Sequence, residues 1–367
     1  MPKINKTYWP VLLGGVSLTM TVIIYTIYWF VVATTLKSTI EKWVSVRSAE
    51  GIFASYRQIE ITGFPLSFRV VLTDPKIKVP NLMAAIYEVG RGEKWMWKSG
   101  RAIAEIRPWN FNKVKIDLSG SYALSYEDGG GAYHFVGKAQ KIFIAVEDFA
   151  DGWPKEFLLN IAELSMIENK SEEIFSLKSG AVISHSLLPD GKRDATGAKS
   201  ATYVLKVEFH DVHLPRFLSL PLGHEVQNIS TELKIIGFNE PSVKIKNLAK
   251  WRDSGGSIEV ILFEGSYGTL KTYATGTVAL DESLQPLAAI SARFQGFFPA
   301  INKLEKAGYI RSGNAAIAKL VLGLLSKRTN NGVRSISLPL TLQGGRLSAG
   351  PVELMAVPKI DWGKDLP

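Results

Sequence analysis

The sequence predicts a mainly β (α+β) protein: one N-terminal transmembrane helix, then an extended, curved sheet of antiparallel strands with a few C-terminal helices. Three observations support this fold class. No charged side chain occurs between Lys6 and Lys37. From Phe53 onward, short segments alternate apolar and polar residues, which is typical of strands with one buried face. These segments follow one another with few helical segments between them, which favours antiparallel pairing over parallel βαβ units.

The first segment, residues 7–36, is interpreted as a membrane anchor. About 20 apolar residues in a helix rise roughly 30 Å, which is enough to cross the hydrocarbon core of a bilayer. The aromatic pairs Tyr8-Trp9 and Tyr28-Trp29 stand where rings would meet the lipid–water boundary. A signal peptide cleaved after Val31-Val32-Ala33 is the alternative, but the apolar stretch exceeds the roughly 7–15 residues of a signal core. An uncleaved anchor is therefore favoured.

The orientation follows from the basic residues beside the anchor. Lys3 and Lys6 precede it within a very short N-terminus, which favours a cytoplasmic N-terminus and export of the rest. We therefore expect a single-pass protein of the bacterial inner membrane with the bulk of the chain in the periplasm. The expected organisation is a cytoplasmic N-terminus (1–6), the anchor (7–36), a stalk helix (37–52) and a periplasmic β-rich domain (53–360). A division of that domain into two units, about 53–210 and 225–360, stays open.

The elements after the anchor are predicted from the period of the apolar residues. Strands are predicted at 56–62, 68–73, 113–118, 141–146, 202–209, 232–236, 257–262, 335–342 and 352–354. Helices are predicted at 243–252, 299–307 and 314–327, the last of which has apolar residues at helical 3-4 spacing.

The composition limits the kinds of chemical site and binding partner that the chain can have. Hydrophobic residues make up 46% and charged residues 21% of the chain, as in an ordinary folded protein. The net charge of +9 is spread along the chain without a Lys/Arg block, which predicts only weak attraction to acidic surfaces. The absence of cysteine excludes disulfides, thiolate nucleophiles, cysteine zinc sites and iron–sulfur clusters, and it is compatible with the periplasm.

No motif predicts an enzyme. His210-Asp211-Val212-His213 is the arrangement most like a metal site, but residues at i and i+3 of a strand point to opposite faces. Ser266 lacks the glycine spacing of a nucleophile elbow, and no glycine-rich loop is followed by a phosphate-binding lysine. The aromatic and basic segment Trp95–Lys98 is too small to predict nucleic-acid binding. We therefore predict no catalytic residues, no metal, no cofactor and no nucleic acid.

A set of motifs resembles a known family. The motifs are Gly63-Phe64-Pro65, Trp251-Arg252-Asp253-Ser254-Gly255-Gly256, Tyr267-Gly268-Thr269-Leu270, Ala274-Thr275-Gly276-Thr277, Gln285-Pro286 and Leu338-Pro339-Leu340-Thr341-Leu342-Gln343-Gly344-Gly345. Their order and spacing resemble the bacterial domain of unknown function 2125 family, with Tyr267 standing where tryptophan is expected. The resemblance implies an anchored, exported β-rich domain and brings no known activity. More remotely, the layout is similar to AsmA-like envelope proteins, which implies an association with lipid handling.

Two functions remain open. In the first, a non-enzymatic domain binds or transfers phospholipid or another hydrophobic ligand in envelope maintenance, beside the lipids of the inner membrane. In the second, the domain is an interaction module that holds other envelope proteins. An open apolar groove would favour the first, and a closed core with polar outer faces would favour the second. The predicted ligand-lining residues are Ile258, Val260, Leu262, Ile301, Leu304, Ile317, Leu320 and Leu324. The alternative for each is packing in an ordinary core.

Overall fold

The protein consists of a long N-terminal helix and one large antiparallel sheet with short helices near its C-terminal end, as a computed structural model shows. The structure describes residues 9–49, 51–80, 94–128, 131–150, 153–187, 203–218, 220–237, 245–328, 332–350, 352–360 and 362. Strands account for 57% of the described residues, which confirms the predicted mainly β class.

The helices of the described residues are α1 (Trp9–Ala49), α2 (Ile245–Asp253), α3 (Phe297–Lys306) and α4 (Ser312–Leu325). Residues 9–36 of the predicted anchor and residues 37–49 of the predicted stalk form one continuous helix, α1. Its N-terminal portion is apolar and has no charged side chain before Lys37. Residues 1–6, predicted to be cytoplasmic, lie outside the described residues.

The strands follow in chain order. They are β1 (Phe53–Ser55), β2 (Gln58–Thr62), β3 (Phe68–Thr73), β4 (Lys76–Val79), β5 (Lys94–Ser99), β6 (Arg101–Arg107), β7 (Asn110–Asp117), β8 (Gly120–Asp128), β9 (Gly131–Ala150), β10 (Trp153–Glu168), β11 (Ile174–Ser186), β12 (Tyr203–His213), β13 (Glu225–Ile236), β14 (Ser257–Tyr267), β15 (Leu270–Leu280), β16 (Pro286–Gln295), β17 (Lys327–Arg328), β18 (Arg334–Gln343), β19 (Arg346–Ala349) and β20 (Val352–Ala356).

The sheet has two branches that meet at the long strand β9. One branch is β2–β3–β6–β7, and β7 pairs with the C-terminal half of β9. The other branch is β1–β4–β5–β8, and β8 pairs with the N-terminal half of β9. Strand β10 pairs with β9 on its other edge. A strand of 20 residues is long enough to accept both branches side by side.

From β9 onward the sheet is a meander in which each strand pairs with the next. The order is β9–β10–β11–β12–β13–β14–β15–β16–β18–β19–β20, and every pair is antiparallel. The short strand β17 also pairs with β18. The sheet is not closed. Strands β12 and β13, on either side of the boundary considered between two units, are neighbours in this sheet, and the division stays a prediction.

Helix α1 packs against the start of the sheet through an aromatic cluster. Trp29 and Ala33 of α1 are buried against Phe68 of β3, and Phe68 is fully buried. The indole N–H of Trp29 donates a hydrogen bond to the carbonyl of Ser67 at 3.2 Å. The Tyr28 hydroxyl donates to a carbonyl in the β6–β7 turn at 3.1 Å. The helix is therefore fixed to the β2–β3–β6–β7 branch through one side.

Candidate functional site

The pairing register shows which side chains share a side of the sheet, because residues directly opposite each other on antiparallel strands point the same way. Two rows of paired residues cross the meander on one side and are almost wholly apolar. The first row is Val146, Phe157, Ser184, Leu205, Leu233, Val260, Gly276, Ile290, Leu340 and Ala349. The second row is Ile144, Leu159, Val182, Val207, Thr231, Phe263, Ala274, Ala292 and Leu338. We call the side that carries these rows the apolar face.

The apolar face continues across the branch that contacts α1. Its rows extend through Val114, Ile106 and Phe68, and through Ile116, Ala104, Val70 and Ile61. Phe68 is the residue that packs against Trp29 of α1. The apolar face therefore begins beside α1 and continues to β18 and β19. Neither row contains a charged residue.

The opposite side of the meander carries the charged residues among some apolar ones. Lys206 forms an ion pair with Glu232 at 3.0 Å, and Lys234 forms one with Glu259 at 3.5 Å. Arg293 on this side is exposed. Partly exposed ion pairs contribute about 1 kcal/mol or less to stability. Their presence indicates that this side of the sheet faces water.

The middle of the apolar face lies outside the buried clusters that the structure describes. The three clusters centre on Leu284, on Phe68 and on Tyr122, and none contains a residue of β12, β13 or β14. Leu205, Leu233 and Val260, in the middle of the face, are only half-buried. In a two-layer β protein, inward side chains at the centre of a wide sheet would be covered by the second layer. The middle of the face is therefore a partly open apolar surface.

A comparison with protein families identifies the chain. The family described as "Uncharacterized protein conserved in bacteria (DUF2125)" matches residues 29–358. The chain belongs to this family. The matched region includes the contact of Trp29 with Phe68 and both rows of the apolar face. A comparison with curated proteins gives no match.

The C-terminal motifs of this DUF2125 protein form a polar network at one end of the sheet. Trp251 of α2 donates its indole N–H to the carbonyl of Ile236 at 2.7 Å. Arg252 donates to the carbonyl of Asp281, whose carboxylate accepts the backbone N–H of Gln285 at 2.8 Å. The Gln285 side chain bonds both backbone groups of residue 360 at 2.8–3.0 Å. These motif residues therefore join α2, the β15–β16 turn and the C-terminal segment, which is an architectural role.

The predicted lining residues of the DUF2125 domain separate into three places. Ile258 and Val260 lie on the apolar face. A β-bulge between Val260 and Leu262 places Leu262 opposite Glu232, on the polar side. On the helices, Ile301 is buried and Leu304 is half-buried in α3. The three predicted residues of α4, which are Ile317, Leu320 and Leu324, are exposed to solvent.

Sequence reasoning missed most members of the apolar face. Leu205, Leu233 and Leu340 lie in strands that were predicted, and each is one of the alternating apolar residues. The alternation of apolar and polar residues therefore indicates which residues of each strand lie on the apolar side of the sheet. The register across many strands was needed to show that the alternating residues form one surface.

The titratable groups with strongly shifted pKa values serve the fold. The carboxylate of Glu168 accepts the backbone N–H of Ser171 in the β10–β11 turn, and this hydrogen bond is the largest of the effects that lower the pKa of Glu168 to about 2. Burial raises the pKa of Tyr122 to about 12. His213, a member of the metal-like motif, has its Nδ1 2.6 Å from the carboxylate of Glu225. Within the described residues, no group of three or more metal-ligating side chains is found.

Proposed function

We propose that this protein is a membrane-anchored, non-enzymatic lipid-binding protein of the bacterial envelope, and that the apolar face holds acyl chains. The observation that carries the proposal is the pair of almost wholly apolar rows, from the strands beside α1 to β18 and β19. Neighbouring strands lie about 4.8 Å apart, so the face has a length on the order of 60 Å. A ligand with long hydrocarbon chains matches such a surface better than a compact small molecule does.

The anchor supports the proposal. Helix α1 is long and apolar enough to span a membrane. From Trp9 to Tyr28 an α-helix rises roughly 29 Å, close to the thickness of the hydrocarbon core. The β2–β3 and β6–β7 turns contact α1 at Tyr25 and Tyr28, so the start of the sheet would lie at the bilayer surface. Lipid leaving the bilayer there would meet the apolar face at its first strands.

The expected topology completes the proposal. With the N-terminus in the cytoplasm, the sheet would lie on the periplasmic side of the inner membrane. This layout would be similar to that of AsmA-like envelope proteins. Both the remote resemblance and the location remain proposals.

Native mass spectrometry of the full chain, released from mild detergent, tests the function. We expect phospholipid bound at a fixed ratio that survives removal of the detergent, because a half-open apolar face favours a hydrocarbon partner over water. The full chain is required because Trp29 and Ala33 cover Phe68, and removing α1 would expose new apolar surface.

The opposite result would favour the second candidate. A lipid-free mass, repeated after incubation with phospholipid vesicles, would contradict lipid binding. The domain would then be better explained as an interaction module that holds other envelope proteins.

A further inference from the structure

Helix α4 carries an apolar stripe that points away from the protein. Ile317, Leu320 and Leu324 are exposed by 62%, 65% and 78%, and Val321 and Leu325 are exposed by 44% and 57%. These positions follow the 3-4 spacing of one helical face. A helix of a soluble domain normally turns such a face toward the core. The outward orientation of the apolar stripe of α4 therefore requires a structural explanation.

The inner side of α4 holds the helix in this orientation. Ala315 is fully buried, and the Lys319 ammonium group lies 2.9 Å from the carboxylate of Glu305 on α3. Arg334 of β18 donates a hydrogen bond to the carbonyl of Gly323 at 3.0 Å. Ala315, Lys319 and Gly323 thus lie on the side that contacts the protein, while five of the large apolar residues face outward, and the contacts set this orientation at both ends of the helix.

The chain segment that contains α4 has charges of one sign, apart from the Glu305 carboxylate of α3 that pairs with Lys319. The segment from Lys306 to Arg328 contains five basic residues and no acidic one; the basic residues are Lys306, Arg311, Lys319, Lys327 and Arg328. All except Lys319 are exposed, and they lie before and after the apolar stripe. This distribution is complementary to a negatively charged surface with an apolar interior.

We propose that α4 binds the surface of an anionic phospholipid bilayer, with its apolar stripe among the acyl chains and its basic ends at the headgroups. The helix rises roughly 21 Å over its length, which is too short to span a bilayer. An apolar stripe with Lys and Arg at its boundaries is the pattern of a helix that lies in the membrane interface. The contact is additional to α1 and does not depend on lipid binding by the apolar face.

The chain contains no cysteine, so a single introduced cysteine can report the surroundings of α4. The full chain carrying Leu324→Cys, labelled with an environment-sensitive fluorophore, is reconstituted into phosphatidylcholine vesicles with or without phosphatidylglycerol. We expect a blue shift of the emission and quenching by nitroxide-labelled phospholipid when phosphatidylglycerol is present. A label at Ser337→Cys, an exposed position on the polar side of β18, is the control and should stay in water.

Two further variants separate the apolar and the charged contributions. Leu320→Asp should remove the blue shift at the Leu324→Cys label, since it places a carboxylate in the apolar stripe. The pair Lys327→Glu and Arg328→Glu should reduce quenching to the level seen without phosphatidylglycerol.

Three outcomes would overturn the proposal in whole or in part. An unshifted, unquenched label in both kinds of vesicle would overturn it. A blue shift in detergent that grows with protein concentration, without quenching by lipid, would replace the bilayer by a second copy of the chain. Equal quenching with and without phosphatidylglycerol would overturn the anionic preference. A shifted label beside a lipid-free native mass would leave α4 as a membrane contact and contradict only the function of the apolar face.

Discussion

Replacing Val260 with Asp is expected to abolish lipid binding by the apolar face while the sheet stays folded. Val260 lies in the middle of the first apolar row and is half-buried. A carboxylate among acyl chains costs about 2.5–3.5 kcal/mol, which corresponds to roughly hundredfold weaker binding. Native mass spectrometry would measure the loss as missing lipid-bound species, and circular dichroism would show that the strands remain.

Leu262→Asp is the matched control for this prediction. Leu262 lies two residues further along the same strand, but the β-bulge turns it to the polar side, opposite Glu232. We expect the control variant to bind lipid as the unmodified protein does. Equal lipid binding by the two variants would contradict the assignment of the apolar face. Global unfolding of Val260→Asp would show instead that this position belongs to a closed core.

Replacing Phe68 with Ala is expected to give the largest loss of stability. Phe68 is fully buried, and its ring centroid lies 5.2 Å from that of Trp29 and 6.0 Å from that of Phe111. Removing a buried aromatic ring costs about 3–5 kcal/mol, because apolar contacts are lost and a cavity remains. Urea unfolding of the full chain in detergent, followed by circular dichroism, would measure the change in the free energy of unfolding.

Phe64→Ala tests whether that loss comes from the buried contact with α1. Phe64 also lies near Trp29, at 5.5 Å between ring centroids, but it is 47% exposed. Its removal should cost on the order of 1 kcal/mol, because less apolar area returns to water. Similar losses for Phe64→Ala and Phe68→Ala would contradict the assignment of the larger loss to the burial of Phe68 beneath α1.

Much of the local structure could be predicted from the sequence. The strand at Phe68–Thr73 was predicted with its observed bounds, because alternation, Gly63 and Pro65 mark both the strand and the turn before it. The helices α3 and α4 were predicted within two residues of their observed limits, since their apolar spacing is regular. Local patterns were sufficient for these elements.

Long-range features were not predictable from the same patterns. No local signal shows that β9 accepts β7 and β8 along one edge, because that depends on pairing between distant segments. The bulge beside Ile261 was also missed, and it turned Leu262 away from Val260. Periodicity located the apolar stripe of α4, but it could not show that Leu324 points outward.

The sequence predicted only a few of the residues that form the apolar face. Ile258 and Val260 share the apolar side of one strand, and their role in lining a ligand stays a prediction, whereas Leu205 and Ile290 were not chosen at all. Alternation assigns a side only within a strand, and the register is required to join sides across the sheet. An apolar surface built from many strands is therefore hard to list from the sequence alone.

The most direct test of lipid binding by the apolar face is photo-cross-linking in growing bacterial cells. A photoreactive amino acid would replace Leu233 or Ile290 on the apolar face, and Thr277 on the polar side would serve as the control. We expect phospholipid adducts at Leu233 and Ile290 and none at Thr277. Adducts with proteins alone at the apolar positions, or equal lipid adducts at all three positions, would contradict it.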